Sequence, residues 1–320
     1  MKINQHQTIP NILLRFAQLL GTEVKKHKIE IPEKFGRGYC IGFVFNDNIR
    51  MIISNYELHE ELIVSNPEVN AVKRMIFFKF QHVFTKGEIT SAINQTPSVL
   101  IATSRLNTDD VISIHSNTAT INIEVDADYL GSLFDVPERS PVLQSLLQNT
   151  QPLLFEQVVY PFLQKIVDDL LTVPVNETFQ LFFLRVKAEE LICRLLMELD
   201  KREEKQLYPL APSDIEIVYK VREKILEYLD TPPMINELAA YAAMSPTKLK
   251  RVFRQIFGDS IFSYYQAYRM LEAARLLKEK KISVTEAGYR LGFTNLSHFS
   301  RVFTEHIGMK PKQYSRLAVD

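Results

Sequence analysis

The pattern of hydrophobic and polar positions divides the chain into a strand-rich first part and a helical second part. Runs rich in β-branched and aromatic residues predict strands, and turn residues such as Asn46 and Gly87 separate them. These runs cover 38–45, 50–58, 73–84, 98–104 and 119–125. Because no helical pattern intervenes between them, they favour an antiparallel sandwich or barrel.

Apolar residues recur at helical spacing between 150 and 200. The pattern runs from Phe155 and Val158 through Ile166 to Leu199 and breaks near Pro174, which predicts two helices. Their apolar faces could pack on the strands, form a subunit interface, or do both.

A charged stretch with two prolines, 200–213, separates these helices from a second domain. It ends at Ser213, a good N-cap residue for an opening helix over 215–229. The rest of the chain is helical, with its longest helix expected over 260–280. We therefore expect an α+β protein of two domains: a β-rich domain with a helical hairpin over 1–200, and an all-α domain over 213–320.

The second domain contains an internal repeat. The segment KRVFRQIFG at 250–258 matches SRVFTEHIG at 300–308, and Tyr264 matches Tyr314 at the same offset. Upstream, Glu237 and Glu286 match at an offset one residue smaller, so the second turn is longer by one residue. Each copy reads as a short helix, a tight turn and a longer helix, which predicts two helix-turn-helix units.

The longer helix of each copy has one apolar and one polar face. Leu249, Val252 and Phe253 lie on the expected buried stripe of the first copy, as do Phe299 and Phe303 in the second. The opposite faces carry side chains that bond to base edges or phosphates, and we predict that they bind DNA. A single such face would be read as a solvated surface, but the repetition favours recognition. The predicted DNA-binding residues are Thr247, Lys248, Lys250, Arg251, Arg254, Leu296, Ser297, Ser300, Arg301 and Thr304.

This domain resembles the DNA-binding domain of the AraC family of bacterial transcription regulators. The resemblance rests on Arg269, Ala273, Leu276 and Leu277, and on a signature near the C-terminus. That signature comprises Gly292, Phe293, Ser297, Phe299, Ser300, Arg301, Phe303, Gly308, Pro311 and Tyr314. Two departures are Gly288, where the family usually has alanine, and Leu296, where many members have glutamine.

The resemblance implies a regulator, expected to be an activator, whose two recognition helices enter successive major grooves of promoter DNA. It also implies an N-terminal domain, cupin-like in some members, that binds a small effector and pairs with a second copy. RNA polymerase is the partner expected of an activator. A ligand-binding or dimerising protein with a secondary DNA role is the alternative.

The identity of the effector stays open at this stage. The domain is similar to a branch of siderophore-responsive activators, which makes a ferric siderophore one candidate. An apolar effector could contact Phe43, Phe45, Phe78 and Phe80, although filling the core is their more ordinary role. A carboxylate or phosphate could pair with Arg50, Lys73, Arg74 or Lys79. No metal or cofactor is expected, because His59, His82 and His115 lack the spacing of a metallated cupin.

Charge and composition agree with this hypothesis. The net charge of the 320 residues is zero, but from Asp214 onward 17 Lys and Arg face 12 Asp and Glu, which suits a DNA-binding domain. Cys40 and Cys193 both stand among apolar residues, which predicts buried thiols rather than a disulfide or zinc site. The chain has no apolar membrane span or signal sequence and no phosphate loop or nucleophile elbow. We therefore expect a cytoplasmic protein that is not an enzyme.

Overall fold

The computed structural model describes residues 8–60, 74–84, 97–104, 117–133, 140–202, 206–279 and 282–316. The chain splits into two units, Met1–Pro212 and Ser213–Asp320. Within the described residues, no helix has the length and apolar character needed to cross a membrane.

The described residues of the first unit form seven strands and five helices. The strands are β1 (Lys28–Glu30), β2 (Gly36–Asn46), β3 (Ile49–Leu58), β4 (Met75–Gln81), β5 (Ser98–Thr103), β6 (Asn117–Asp126) and β7 (Leu154–Val158). The helices are α1 (Asn11–Leu20), α2 (Ala127–Ser132), α3 (Pro141–Gln148), α4 (Pro161–Thr172) and α5 (Glu177–Asp200).

The strands form one antiparallel sheet in the order β1-β2-β3-β6-β4-β5-β7. Strand β6 therefore lies between β3 and β4. Strands β1 and β7 and helices α1, α2 and α3 were not predicted, and β7 occupies residues for which the spacing of Phe155 and Val158 indicated a helix. The break near Pro174 is confirmed, because α4 ends at Thr172 and α5 begins at Glu177.

One face of the sheet carries the main hydrophobic core. Strand residues such as Met51, Phe78 and Ile123 are fully buried there, and helices α2 to α5 pack apolar side chains against them. Helix α1 covers the opposite face at the β1–β2 end, where Leu13 and Phe16 belong to a second cluster with Cys40 and Leu58.

The second unit is wholly helical in its described residues. Its helices are α6 (Pro212–Glu227), α7 (Ile235–Tyr241), α8 (Pro246–Phe257), α9 (Ile261–Glu279), α10 (Val284–Arg290), α11 (Leu296–Ile307) and α12 (Pro311–Arg316). The opening helix starts at Pro212, so Ser213 lies in its first turn and is not its N-cap. Proline is tolerated at that position because the first amides of a helix have no intrahelical partner.

Candidate nucleic-acid interface

The first helix-turn-helix unit consists of α7, a tight turn and α8. The turn contains Ala243 at φ 48°, and the Ser245 hydroxyl then accepts a hydrogen bond from the Lys248 amide, which caps α8. Leu249, Val252, Phe253 and Ile256 are buried. Because these side chains hold one face of α8 against the domain, the opposite face is fixed toward solvent. Thr247, Lys250, Arg251 and Arg254 are exposed on it.

The second helix-turn-helix unit consists of α10, a turn and α11. Its left-handed residue is Gly292 at φ 74°, and the Asn295 side chain accepts hydrogen bonds from the amides of Ser297 and His298 at 2.9 and 3.0 Å. Ala243 stands two residues before its N-cap, whereas Gly292 stands three residues before Asn295. The additional residue predicted in the second turn therefore lies between the left-handed residue and the cap.

The polar face of α11 presents fewer charged groups than that of α8. Ser297 and Arg301 are exposed, while Ser300 and Thr304 are half-buried. The Thr304 hydroxyl donates to the Ser300 carbonyl at 2.7 Å, so it is engaged by the backbone of its own helix. Arg301 occupies the position on α11 that Arg251 occupies on α8.

Two predicted DNA-binding residues contact the protein itself. Lys248 Nζ donates to Asp214 Oδ1 of α6 at 2.8 Å, which offsets part of its positive charge. Leu296 packs over Gly288 of α10: a Cβ added at Gly288 would stand 2.8 Å from Leu296 Cδ2. The two departures from the family pattern are therefore neighbours in space. The glycine makes room for the leucine, which stays half-buried.

The long helix α9 follows the first helix-turn-helix unit, and Arg269 and Tyr265 anchor it to the rest of the domain. The buried Arg269 guanidinium donates to the Leu291 carbonyl in the second unit and lies 4.0 Å from the centroid of the Phe293 ring. Burial lowers the pKa of Arg269. The Tyr265 hydroxyl donates to the Leu229 carbonyl at 3.0 Å. These contacts fix α9 against the turn of the second helix-turn-helix unit and against the turn that follows α6.

The repeat also extends to the aromatic packing behind each recognition helix. The Phe253 and Tyr264 rings meet edge to face with centroids 5.3 Å apart. Phe303 and Tyr314, fifty residues later, meet in the same way at 5.7 Å. Each recognition helix is thus held from behind by the same pair of rings.

The domain so built is similar to known regulators. Residues 238–317 match the family model described as a helix-turn-helix domain. The regulatory protein PchR of Pseudomonas aeruginosa is 38% identical over 72 residues, which cover 22% of this chain and 24% of PchR. The probable transcription factor PqrA of Proteus vulgaris is 30% identical over 96 residues, which cover 28% of this chain and 79% of PqrA.

The chain belongs to the AraC family of transcription regulators. Its C-terminal domain is the helix-turn-helix domain of that family. A solved structure of a probable AraC family transcriptional regulator from Rhodopseudomonas palustris is 29% identical. The matched region covers 32% of this chain and 96% of the chain of that regulator, with a TM-score of 0.30. The chain spans about a quarter of the length of PchR, the first of these relatives.

The aromatic residues named as effector contacts in this AraC-family chain lie mainly in the packed core. Phe43, Phe78 and Phe80 are buried among core side chains, and Phe45 packs partly buried against that core, with its ring stacked 6.3 Å from that of Phe43. In the fold, these four phenylalanines fill or border the hydrophobic core. A role in binding stays a prediction.

The basic residues named as effector contacts lie apart from that core. The Arg50 guanidinium pairs with the Glu124 carboxylate at 2.5 Å on the other face of the sheet. Arg74 pairs with Asp128 and donates to the Gln148 carbonyl. Lys73 and His115 lie outside the described residues. Among the described side chains, no cluster of His, Cys, Asp and Glu is arranged to hold a metal.

The two cysteines differ in their surroundings. Cys40 is buried 3.3 Å from the Ser54 hydroxyl, and burial raises the pKa of its thiol to about 12. Cys193 is exposed, so the prediction that it is buried is wrong. Its apolar neighbours Leu191, Ile192 and Leu195 fill the core side of α5, which leaves Cys193 on the outer side.

Proposed function

We propose that this protein is a sequence-specific regulator that binds promoter DNA through α8 and α11. The observation that carries the proposal is the repeated recognition helix, with Arg251 and Arg301 exposed at equivalent positions of two capped helices. An α-helix fits the major groove, and arginine can donate two hydrogen bonds to guanine O6 and N7. Two such helices on one monomer would read segments about 34 Å apart along one face of the duplex.

The predicted contacts divide into two kinds. Arg251 and Arg301 are assigned to base edges, with Ser297 and Ser300 beside the second arginine. Lys250 and Arg254 are assigned to phosphates, whose contacts fix the register of the protein without reading sequence. Thr247 lies in the first turn of α8, where the amide groups of a helix favour a phosphate oxygen.

The test uses full-length protein and an operator selected from random duplexes. Arg251→Ala and Arg301→Ala should each weaken binding to that operator by about 1–3 kcal/mol, and weaken binding to random DNA less. Arg251→Lys is the matched control, because it keeps the charge and loses the two-fold hydrogen bond. It should retain the salt dependence of binding while losing discrimination at one base pair. Equal losses on operator and random DNA would contradict base reading.

The N-terminal domain is proposed to bind a small effector and to pair with a second copy. The support for pairing is an exposed apolar stripe on α5, formed by Phe179, Phe182, Val186 and Met197. The successive spacings of three, four and eleven residues place these side chains on one side of the helix. Two ion pairs on the same helix, Arg185 with Glu189 and Arg194 with Glu190, provide both positive and negative groups near the stripe. Such a mixture suits a symmetric contact between identical helices.

The remaining features of the proposal follow from the family. The regulator would act as an activator that contacts RNA polymerase, in the cytoplasm where promoter DNA is accessible, and would not be an enzyme. A cupin-like barrel is the proposed form of the β-rich domain, supported by the antiparallel pairing of its strands. A ferric siderophore, an apolar molecule and a carboxylate were the effector candidates from sequence.

A further inference from the structure

An ion pair ties the start of recognition helix α8 to the start of α6. Lys248 Nζ donates to Asp214 Oδ1 at 2.8 Å, although 34 residues separate the two in sequence. Both helices are anchored in the domain core. Ile215 and Val218 of α6 and Leu249 of α8, which lie next to or near the charged residues, are fully buried. Packing therefore fixes the backbone positions of both members of the pair.

This pair is better shielded from water than a neighbouring pair on α6. The side chains of Lys248 and Asp214 are 42% and 21% exposed, whereas those of Lys220 and Glu216 are 52% and 62% exposed. Shielding strengthens the attraction between opposite charges. Because ion pairs at a protein surface contribute little to folding stability, the main consequence of the contact is that it occupies the lysine.

Lys248 stands where a cation does not stabilise its own helix. It lies in the first turn of α8, three residues after the N-cap Ser245. The amides of a first turn carry partial positive charge, so they favour anions and disfavour cations. A lysine beside them strengthens the attraction of this turn for an anion. In the proposed DNA complex that anion is a backbone phosphate, as assigned above for Thr247.

In the free chain the anion beside Lys248 is the Asp214 carboxylate. A carboxylate and a phosphate both offer charged oxygens to an ammonium group, so the two compete for the same donor. While Lys248 donates to Asp214, it neutralises no phosphate. Asp214 is also favoured where it lies, because it belongs to the first turn of α6.

We propose that Asp214 competes with the DNA backbone for Lys248 and thereby lowers the affinity of the first helix-turn-helix unit for DNA. Phosphate contacts carry no sequence information. The competition therefore weakens binding to operator and to random duplex alike and leaves base discrimination unchanged. This inference rests on the proposed DNA-binding function of α8.

The experiment measures binding of the full-length protein to the operator and to random duplex over a series of salt concentrations. Asp214→Asn should tighten binding to both duplexes by about three-fold or more at low salt. It should also steepen the slope of log K against log salt by about 0.9, the value for one additional phosphate contact. Asp214→Glu keeps the charge and should bind like the wild type.

A matched control and a second substitution separate the release of Lys248 from a general gain of positive charge. Glu216→Gln removes the same charge from the same helix but frees Lys220 instead, so it should leave the slope close to that of the wild type. Lys248→Met should abolish the gain produced by Asp214→Asn and have little effect on the wild type, as expected of two coupled residues.

The outcomes distinguish this inference from the DNA-binding proposal. Equal tightening by Asp214→Asn with and without Lys248, or an unchanged slope in Asp214→Asn, would overturn the competition. If Asp214→Asn does not fold, Asp214→Ser carries the same expectation. Failure of the wild type to prefer any operator over random duplex would overturn the proposed regulator, while the slope on random duplex would still report on Lys248. A wild type that prefers its operator, with no response to Asp214→Asn, would overturn this inference alone.

Discussion

Replacing Gly292 by alanine tests whether the turn of the second helix-turn-helix unit is fixed by the end of α6. Gly292 has φ 74°, and a Cβ built on it would stand 2.1 Å from the Asp230 carbonyl oxygen. Gly308 provides a matched control, because its φ is 78° and no atom lies within 4 Å of the Cβ that it would gain. Both variants would place a side chain in the left-handed region, and only Gly292→Ala would also meet the backbone of the turn that follows α6.

The expected magnitudes follow from that difference. A left-handed alanine costs roughly 1–2 kcal/mol, and this is the whole expected effect of Gly308→Ala. For Gly292→Ala the overlap adds about 1–3 kcal/mol, as in overpacked interiors. Asp230 cannot move aside easily, because the preceding Leu229 carbonyl accepts the 3.0 Å hydrogen bond from Tyr265. The total is about 2–5 kcal/mol, or roughly 30-fold to several thousand-fold in the equilibrium for local opening.

Hydrogen exchange of the full-length protein, followed by mass spectrometry of its peptides, measures that opening. Peptides from α10 and α11 should exchange faster in Gly292→Ala than in Gly308→Ala, while peptides from α8 should exchange as in the wild type. Equal exchange of α10 and α11 in the two variants would refute the reasoning, because the carbonyl contact would then contribute nothing.

Two further predictions concern the N-terminal domain. Phe182 is 69% exposed in a single chain, so Phe182→Glu should preserve the protomer but dissociate the proposed dimer in sedimentation experiments. Leu19→Glu, at an exposed leucine of α1, is the control, and an unchanged dimer in Phe182→Glu would exclude α5 as the interface. Once Phe182→Glu has separated the protomers, a thiol reagent at neutral pH should modify Cys193 rapidly and Cys40 only after denaturation, because the reactive thiolate of Cys40 is suppressed by a pKa of about 12. A fast reaction that persists in Cys193→Ser would contradict the burial of Cys40.

The internal repeat is the part of the chain whose structure could be predicted best from the sequence. The faces of α8 and α11 follow from the spacing of Leu249, Phe253, Phe299 and Phe303, because helical periodicity fixes which side chains share a face. The longer second turn followed from the offset of Glu286. In the N-terminal domain the strands themselves were largely predicted, since alternation within a strand is local information.

The arrangement of those strands was not predictable in the same way. Strand β6 inserts between β3 and β4, which brings Arg50 beside Glu124 although 74 residues separate them. Nothing in the local pattern of either strand specifies that pairing. The burial of Lys79 depends on the same long-range order, because its alternation with Phe78 and Phe80 looks like that of any half-solvated strand. Cys193 was misassigned because apolar residues surround it in sequence but lie on the other side of its helix.

The two recognition helices, although repeated in sequence, are not equivalent as DNA-binding surfaces. Among the predicted contact residues, α8 presents Lys250, Arg251 and Arg254, whereas α11 presents Arg301 as its one cation. Near the start of α11, Leu296 rests on Gly288, and the Thr304 hydroxyl is engaged by the helix backbone. Since the salt dependence of binding follows the number of neutralised phosphates, the first unit should contribute most of it. The second helix-turn-helix unit should contribute to binding mainly through Arg301. The half-buried Leu296 can add an apolar contact with a thymine methyl group.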